Sequence, residues 1–208
     1  MKVTKEQAQQ NRQALLEAAG RLFKKHGIDG IGVADVSREA GLTPGALYKH
    51  FVDKQDLAAQ AFSHAFRLGF DRVNAPRPEA RRSIDTYLRV YLSPRIRDDL
   101  EAGCPLIATA CETGRQGEQL SQSFADAFVE FRAGVESVLP ETGDAAQRAA
   151  LASLFVAAFV GANAISRGVV KADRDLADEV LDQIRSVLVG LAPSPEPTQK
   201  APSGTELA

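Results

Sequence analysis

The chain has 208 residues, of which 25 are Lys or Arg and 27 are Asp or Glu, so its formal net charge is −2. A hydrophobic share of 44% is enough to bury a sizeable core and too high for a wholly disordered chain. The N-terminus is polar, no run of 18 apolar residues occurs and there are two cysteines, so we expect a cytoplasmic protein with no secretory signal, no membrane contact and no disulfide framework.

Three helices are predicted before residue 54. Apolar spacing and helix-ending glycines place them at about 11–26, 33–40 and 43–51. Gly27 is expected to end the first helix in a left-handed turn, and Gly41 follows the end of the second. The hydroxyl of Thr43 can cap the third helix, and Pro44 suits the first helical position, where its missing N–H costs nothing.

Longer helices are predicted in the rest of the chain, and no segment alternates like a half-buried strand. Their expected ranges are 54–73, 83–91, 104–115, 118–138, 144–169 and 174–191. Residues 74–78, Ser93–Pro94 and 140–143 are expected to interrupt them. The fold class is therefore all-α, with domains at 1–53 and 54–191, followed by a Pro- and Ser-rich segment, 192–208, that is typical of a disordered tail.

The segment 33–51 carries a helix-turn-helix pattern. Its two helices are too short to be stable alone, so they must pack on the first helix through apolar side chains such as Val36 and Leu47. In such a unit the second helix places its N-terminal residues in the major groove of DNA. The residues expected to face DNA are Arg38, Thr43, Pro44, Gly45, Ala46, Tyr48, Lys49, His50 and Lys54.

These residue types suit a DNA surface. Thr43, Gly45 and Ala46 are small enough for the helix backbone to approach base edges, and Lys49 adds a cation. Residues 1–55 carry nine cations and six anions, against 16 and 21 in the remainder. That asymmetry alone would fit two solvated surfaces, and Arg38 is compatible with a solvated face as well as with a phosphate contact.

At these positions the sequence resembles the TetR family of bacterial transcription regulators. The resemblance extends over residues 11–62 and rests on Arg12, Ala18-Ala19, Leu22-Phe23, Gly27, Ala40-Gly41, the run TPGALYKHF from Thr43 to Phe51, and KQDL from Lys54 to Leu57. The chain departs from the family at Ile31-Gly32, where most members have a pair of hydroxyl residues. We expect Gly32 to be a weaker cap and the start of the second helix to contribute less to DNA affinity.

The resemblance implies a C-terminal helical domain that binds a small-molecule effector and dimerises. Its last two helices would pair across a two-fold axis, so that the homodimer binds a palindromic double-stranded DNA operator. The residues expected near the ligand are Phe66, Phe70, Tyr87, Tyr91, Ile107, Cys111, Phe124, Phe128, Phe159 and Asn163. The residues expected in the dimer interface are Leu151, Phe155, Ala158, Val180, Ile184 and Val187.

Several alternatives stay open at this stage. Most of the aromatic residues would simply pack the core, and Asn163 could serve either the ligand or the dimer interface. Cys104 and Cys111 would share one helix as small buried hydrophobes, or Cys104 at a helix N-terminus would have a lowered pKa and sense an oxidant or electrophile. A protein that binds DNA constitutively, without an inducer, is a further alternative.

An enzyme is the rival from another class. The three histidines, His26, His50 and His64, are scattered, and the sequence has no metalloprotease, phosphate-loop or nucleophile-elbow motif. We therefore expect no catalytic residues, no bound metal and no cofactor. The sequence best fits a repressor that a small, mostly apolar effector releases from its operator.

Overall fold

The computed structural model describes residues 4–76, 83–101, 103–140 and 144–192. These residues form ten α-helices and no strand, which confirms the all-α prediction. The helices are α1 (Lys5–His26), α2 (Val33–Glu39), α3 (Pro44–Leu47), α4 (Lys54–Asn74), α5 (Ile84–Tyr91), α6 (Pro94–Asp98), α7 (Pro105–Thr113), α8 (Glu118–Glu136), α9 (Ala145–Val169) and α10 (Arg174–Leu191).

Helix α1 begins at Lys5, so the prediction of a start near Asn11 was wrong. Thr4 is the N-cap, and its hydroxyl accepts a hydrogen bond from the backbone N–H of Gln7 (3.1 Å). This first turn lacks apolar periodicity but consists of good helix formers, so the cap and the backbone propensity are sufficient to extend the helix.

Helices α2 and α3 pack against α1 as a helix-turn-helix. Val36 and Leu47 are fully buried between these helices. Gly41 in the turn has φ 69°, a left-handed conformation that side chains other than glycine rarely adopt. Helix α3 ends at Leu47 rather than near Phe51, and the following residues continue as hydrogen-bonded turns, among them the bond from the Phe51 N–H to the Leu47 carbonyl (3.1 Å).

Helix α4 is shared by both parts of the molecule. It packs on α1 at one side and on α8 at the other, and α7 contacts α1, α4, α8 and α9. The centre of the larger part is an aromatic cluster around Phe131, which has no exposed surface. Its ring contacts the rings of Phe66, Phe70, Tyr87, Tyr91 and Phe159 at centroid distances of 4.7 to 6.5 Å.

A glycine on α8 allows the close approach of this cluster. A Cβ atom at Gly134 would lie 2.6 Å from Cζ of Phe70 and 2.9 Å from the hydroxyl oxygen of Tyr87. Such distances are below van der Waals contact, so a larger side chain would have to displace the Phe70 ring.

The prediction of an interruption at Ser93-Pro94 was wrong, because the short helix α6 begins there. Ser93 is instead the N-cap, its hydroxyl accepting from the Ile96 N–H, and Pro94 occupies the first helical position. Helix α6 is anchored by Arg97, whose side chain is buried. Its guanidinium donates to the carboxylates of Asp98 (2.7 Å) and Asp178, which ties α6 to α10.

Helix α9 is long and apolar enough to cross a bilayer, with a mean hydropathy of 1.8 over an 18-residue window. Length and composition are weak evidence for a membrane span, because a core helix of a globular domain can have both. Phe155 and Phe159 of this helix are fully buried in the aromatic core.

Some sequence predictions lie outside the described residues. The tail predicted over 192–208 falls there from residue 193 onward, as do parts of the interruptions at 74–78 and 140–143. The predicted domain boundary at 53/54 falls on Asp53, the N-cap of α4.

Candidate functional site

The N-terminal edge of α3 is exposed. Thr43, Pro44 and Gly45 face solvent, and a Cβ atom at Gly45 would meet nothing within 4 Å. Tyr48 is 56% exposed, and Lys49 beside it is also exposed. A surface of small residues followed by a phenol and a cation can approach a DNA groove closely.

The remaining predicted DNA-facing residues are less accessible or differently partnered. Ala46, His50 and Lys54 are half-buried. Arg38 is exposed and pairs with Asp35, one turn away on α2. Thr43 makes no capping hydrogen bond within the described chain, so the expectation of a hydroxyl cap was wrong and its side chain is available to a partner.

The opposite side of α3 is fixed by packing. Leu47 and Phe51 are buried, and the Arg12 guanidinium lies over the Phe51 ring at 5.4 Å from its centroid. The Asp56 carboxylate then accepts from the Val52 N–H (3.0 Å), joining this segment to the start of α4. The exposed edge is therefore presented by a helix whose inner side is held by the core.

The start of α2 has a cap that does not need a hydroxyl. The Asp35 carboxylate accepts a hydrogen bond from the Gly32 N–H (3.1 Å). This hydrogen bond and a second one from the Arg38 guanidinium hold the pKa of Asp35 below its ordinary value. Gly32 has no side chain, so Asp35 provides the side-chain hydrogen bond at this helix start.

A polar junction joins the helix-turn-helix to α7, and no sequence pattern predicted it. The Glu112 carboxylate accepts hydrogen bonds from the backbone N–H groups of Ile28 (2.6 Å) and Asp29 (3.2 Å). The Gln116 amide donates to Asp29 (3.1 Å) and accepts from the Gln55 amide (3.0 Å). Glu112 thus holds the loop between α1 and α2 at a defined place on the larger part of the molecule.

A cavity of about 330 Å³ lies between α4, α5, α6 and the start of α7. Its size is within the range of small-molecule sites. The lining consists of Phe66, Gly69, Phe70, Arg72, Val73, Arg89, Val90, Tyr91, Ser93, Arg95, Ile96, Asp99, Cys104 and Pro105. Phe66, Phe70 and Tyr91 were among the predicted ligand-facing residues. The arginines were not, because nothing in a helical pattern separates a cation at a cavity mouth from one on an open surface.

The other residues predicted near a ligand do not line this cavity. Tyr87, Ile107 and Phe159 are buried in the core, where close packing leaves them no free face toward the cavity. Phe124 packs on Phe62 (5.8 Å between centroids), and Phe128 lies beneath the Arg132 guanidinium. Cys111 is exposed on α7.

Asn163 is also a core residue and not part of the cavity lining. Its amide donates to the backbone carbonyls of Tyr91 (2.7 Å) and Phe159 (2.9 Å), which links α9 to the end of α5. Its buried carbonyl oxygen has no partner among the described residues. The amide thus has a structural role that sequence reasoning left open.

The two cysteines do not share the environment that the sequence suggested. Cys104 is the buried N-cap of α7 and lines the cavity, whereas Cys111 is exposed. Burial raises the pKa of the Cys104 thiol, which argues against the alternative of a lowered pKa at this helix start.

An exposed apolar face covers parts of α9 and α10. Leu154, Ile165, Val187 and Leu191 are large and exposed, with Val187 at 61%. The predicted interface residues Leu151, Ala158, Val180 and Ile184 are half-buried in the single chain. Phe155 is fully buried against Phe159, so its prediction as an interface residue was wrong: the neighbouring Leu154 points outward instead.

Two family models match the chain. Residues 15–61 match the model described as "Bacterial regulatory proteins, tetR family", and residues 82–178 match "Transcriptional regulator LmrA/YxaF-like, C-terminal domain". Together these matches cover more than two thirds of the chain, including the helix-turn-helix and most of the larger helical part.

Individual relatives agree with the models. The regulator LmrA of Bacillus subtilis is 28% identical over 166 residues, which cover 72% of this chain and 82% of LmrA. The regulator AcrR of Shigella flexneri is 42% identical over 57 residues, but the match spans about a quarter of either protein, 27% of this chain and 26% of AcrR. The crystal structure of a TetR transcriptional regulator from Chloroflexus aurantiacus superposes with a TM-score of 0.70 at 23% identity, covering 88% of this chain and 96% of that one. This last likeness concerns the fold.

Proposed function

The chain belongs to the TetR family of transcriptional regulators, which are DNA-binding proteins and not enzymes, and from this premise we propose that it is a homodimeric repressor whose release from a palindromic operator is controlled by a small molecule. The observation that carries the proposal is the exposed edge of α3 on a helix whose inner side is buried. A recognition helix needs this combination, because its outer residues must be free to contact DNA while its backbone is held in place.

Dimerisation supplies the specificity that one short helix lacks. A single recognition helix contacts too few base pairs, whereas two helices related by a two-fold axis read two half-sites about one turn of DNA apart. The exposed apolar face of α9 and α10 supports this part of the proposal, since large exposed apolar patches are uncommon on monomers. A paired α9 would also account for its high hydropathy without a membrane, in keeping with a cytoplasmic protein.

The switch that we propose acts through α4. This helix carries Phe66 and Phe70 in the cavity wall and packs on α1 of the helix-turn-helix. A ligand shifts the population of conformations only if it binds one of them more tightly. A coupling of about 1–3 kcal/mol, typical of allosteric proteins, would weaken operator binding roughly 5- to 150-fold.

The cavity favours this switch over the alternative of a constitutive DNA-binding protein, which a tightly filled interior would have supported. A cysteine-based sensor is the weaker alternative. Burial disfavours the thiolate of Cys104, and the thiolate is the form that reacts with oxidants and electrophiles.

The DNA-binding part is tested with Gly45→Glu. Gly45 is exposed and a Cβ atom there meets nothing, so the variant should fold normally, but its carboxylate would face phosphates. After the protected site upstream of the protein's own gene has been footprinted, operator affinity is measured by fluorescence anisotropy. The matched control is Ala125→Glu on the exposed side of α8. Equal operator affinity for the two variants would refute the assigned role of α3.

The dimer is tested by sedimentation of Leu154→Glu and Val187→Glu, with Val129→Glu as the control. All three residues are exposed and apolar, but Val129 lies on α8 and not on α9 or α10, which carry the proposed face. We expect the first two variants to sediment as monomers and to lose operator affinity. A monomeric wild-type protein, or dimers of both test variants, would contradict the proposed interface.

A further inference from the structure

The cavity between α4 and α7 has an aromatic wall. The rings of Phe66 and Phe70 are stacked with their centroids 5.2 Å apart, and Tyr91 adds a third ring to the lining. Val73, Val90 and Ile96 complete the apolar surface. Aromatic faces bind flat aromatic molecules with more than their buried area would give, through offset or edge-to-face contacts.

The hydroxyl of Tyr91 is a hydrogen-bond donor that no described residue uses. Tyr91 is 3% exposed, yet its hydroxyl has no hydrogen-bond partner among the residues that the structure describes. Burial holds the pKa of this phenol well above its ordinary value, so at neutral pH the group is an O–H donor. The hydroxyl oxygen is not fully enclosed by protein atoms, so an acceptor atom of a ligand in the cavity can reach it.

Cations dominate the charged part of the lining. Arg72, Arg89 and Arg95 line the same cavity as the carboxylate of Asp99. Arg89 pairs with Asp85 (3.0 Å), whereas Arg72 and Arg95 make no ion pair with any residue of the described ranges. Two guanidinium groups without a carboxylate partner beside an apolar cavity can bind an anionic group of a ligand.

We propose that the effector of this cavity is a planar aromatic molecule carrying a carboxylate, with its rings against Phe66 and Phe70 and its anionic group bound by Arg72, Arg95 and the Tyr91 hydroxyl. This assignment rests on the proposed function, because it names the class of molecule that would operate the same switch. It adds an anionic group to the mostly apolar effector that the sequence suggested.

The proposal is tested with a pair of probes, 2-naphthoate and its neutral analogue 2-naphthamide. The two share one ring system and differ in charge. The chain contains no tryptophan, so naphthalene fluorescence reports binding without overlapping tryptophan emission. We expect 2-naphthoate to bind about five- to tenfold more tightly at low salt, and the preference to fall at about 1 M NaCl, where the Debye length is ~3 Å.

Variants separate the contribution of the two arginines from that of the Tyr91 hydroxyl. Arg72→Gln combined with Arg95→Gln should abolish the preference for the anion, whereas Tyr91→Phe should weaken both probes about two- to tenfold, because both have an acceptor oxygen. Arg132→Gln is the control, since this arginine lies over Phe128 on α8 and outside the cavity. Equal affinity for the two probes, a preference that survives the double substitution, or no binding of either probe overturns the proposal.

Operator release, followed by anisotropy in the same samples, distinguishes this inference from the proposed function. If 2-naphthamide binds and releases the operator as well as 2-naphthoate does, the switch stands and the anionic assignment is refuted. If 2-naphthoate binds with the expected preference and leaves the operator bound, the preference of the cavity for an aromatic anion stands and the switch is refuted.

Discussion

Replacing Glu112 should destabilise the protein by an amount that follows from two hydrogen bonds. The Ile28 N–H is buried and its bond to the carboxylate is 2.6 Å long, so leaving it unpaired costs about 1–3 kcal/mol. The bond from the exposed Asp29 N–H is longer, 3.2 Å, and water can replace the acceptor, so it adds about 0.5–1 kcal/mol. We expect Glu112→Ala to lower the free energy of unfolding by about 2–4 kcal/mol. Glu112→Gln keeps an acceptor oxygen and should cost about 1 kcal/mol.

The measurement is urea denaturation at one fixed protein concentration, because the stability of a dimer depends on concentration. Glu130→Ala is the matched control: Glu130 is an exposed residue of α8 without a hydrogen-bond partner in the described part of the chain, and its loss should change stability by less than about 0.5 kcal/mol. If the free energy of unfolding of Glu112→Ala differs from that of the control by less than this margin, the carboxylate does not hold the α1–α2 loop.

Three further predictions concern DNA, pH and thiol chemistry. Lys49→Ala should weaken binding to all DNA sequences alike and reduce the slope of log Kd against log salt by about 1; an altered preference at one base pair would contradict a phosphate contact. The hydrogen bond from Arg97 lowers the pKa of Asp98 in the folded protein. The ionised Asp98 carboxylate therefore contributes its full stabilisation above the unfolded-state pKa of about 3.9, and this stabilisation is lost as the pH falls through the lower folded-state pKa. The difference in urea midpoint between wild type and Asp98→Asn should therefore shrink in that acidic range, and a constant difference would argue against this ion pair. At neutral pH iodoacetamide should modify the exposed Cys111 well before Cys104, whose thiol pKa burial raises; mass spectrometry of the modified chain would detect the reverse order.

The helix-turn-helix could be predicted because its signals are local. Gly27 and Gly41 both have positive φ in the structure, and Pro44 occupies the first position of its helix. Each of these effects depends on one residue and its neighbours along the chain. Pro94 shows the limit of such signals, because the same residue type that begins a helix also breaks one, and only the Ser93 cap distinguishes the two cases.

The cavity and the apolar face could not be predicted in the same way. Helix α9 is apolar on several sides, so periodicity does not tell that Phe155 packs inward and Leu154 outward. Phe66 and Phe159 belong to the same aromatic cluster, yet of these two only Phe66 lines the cavity. Which ring borders empty space depends on how four helices meet, and the Glu112 junction likewise depends on residues 84 positions apart.

The missing side chain at Gly134 makes the volume of the cavity adjustable from outside it. Gly134 does not line the cavity, but it lies against the Phe70 ring, which does line it. Alanine at this position would push that ring and so reshape the space available to an effector, without exchanging any residue of the helix-turn-helix. A biosensor engineer, or natural selection, could therefore retune which compounds the protein detects by exchanging a single residue that no effector touches.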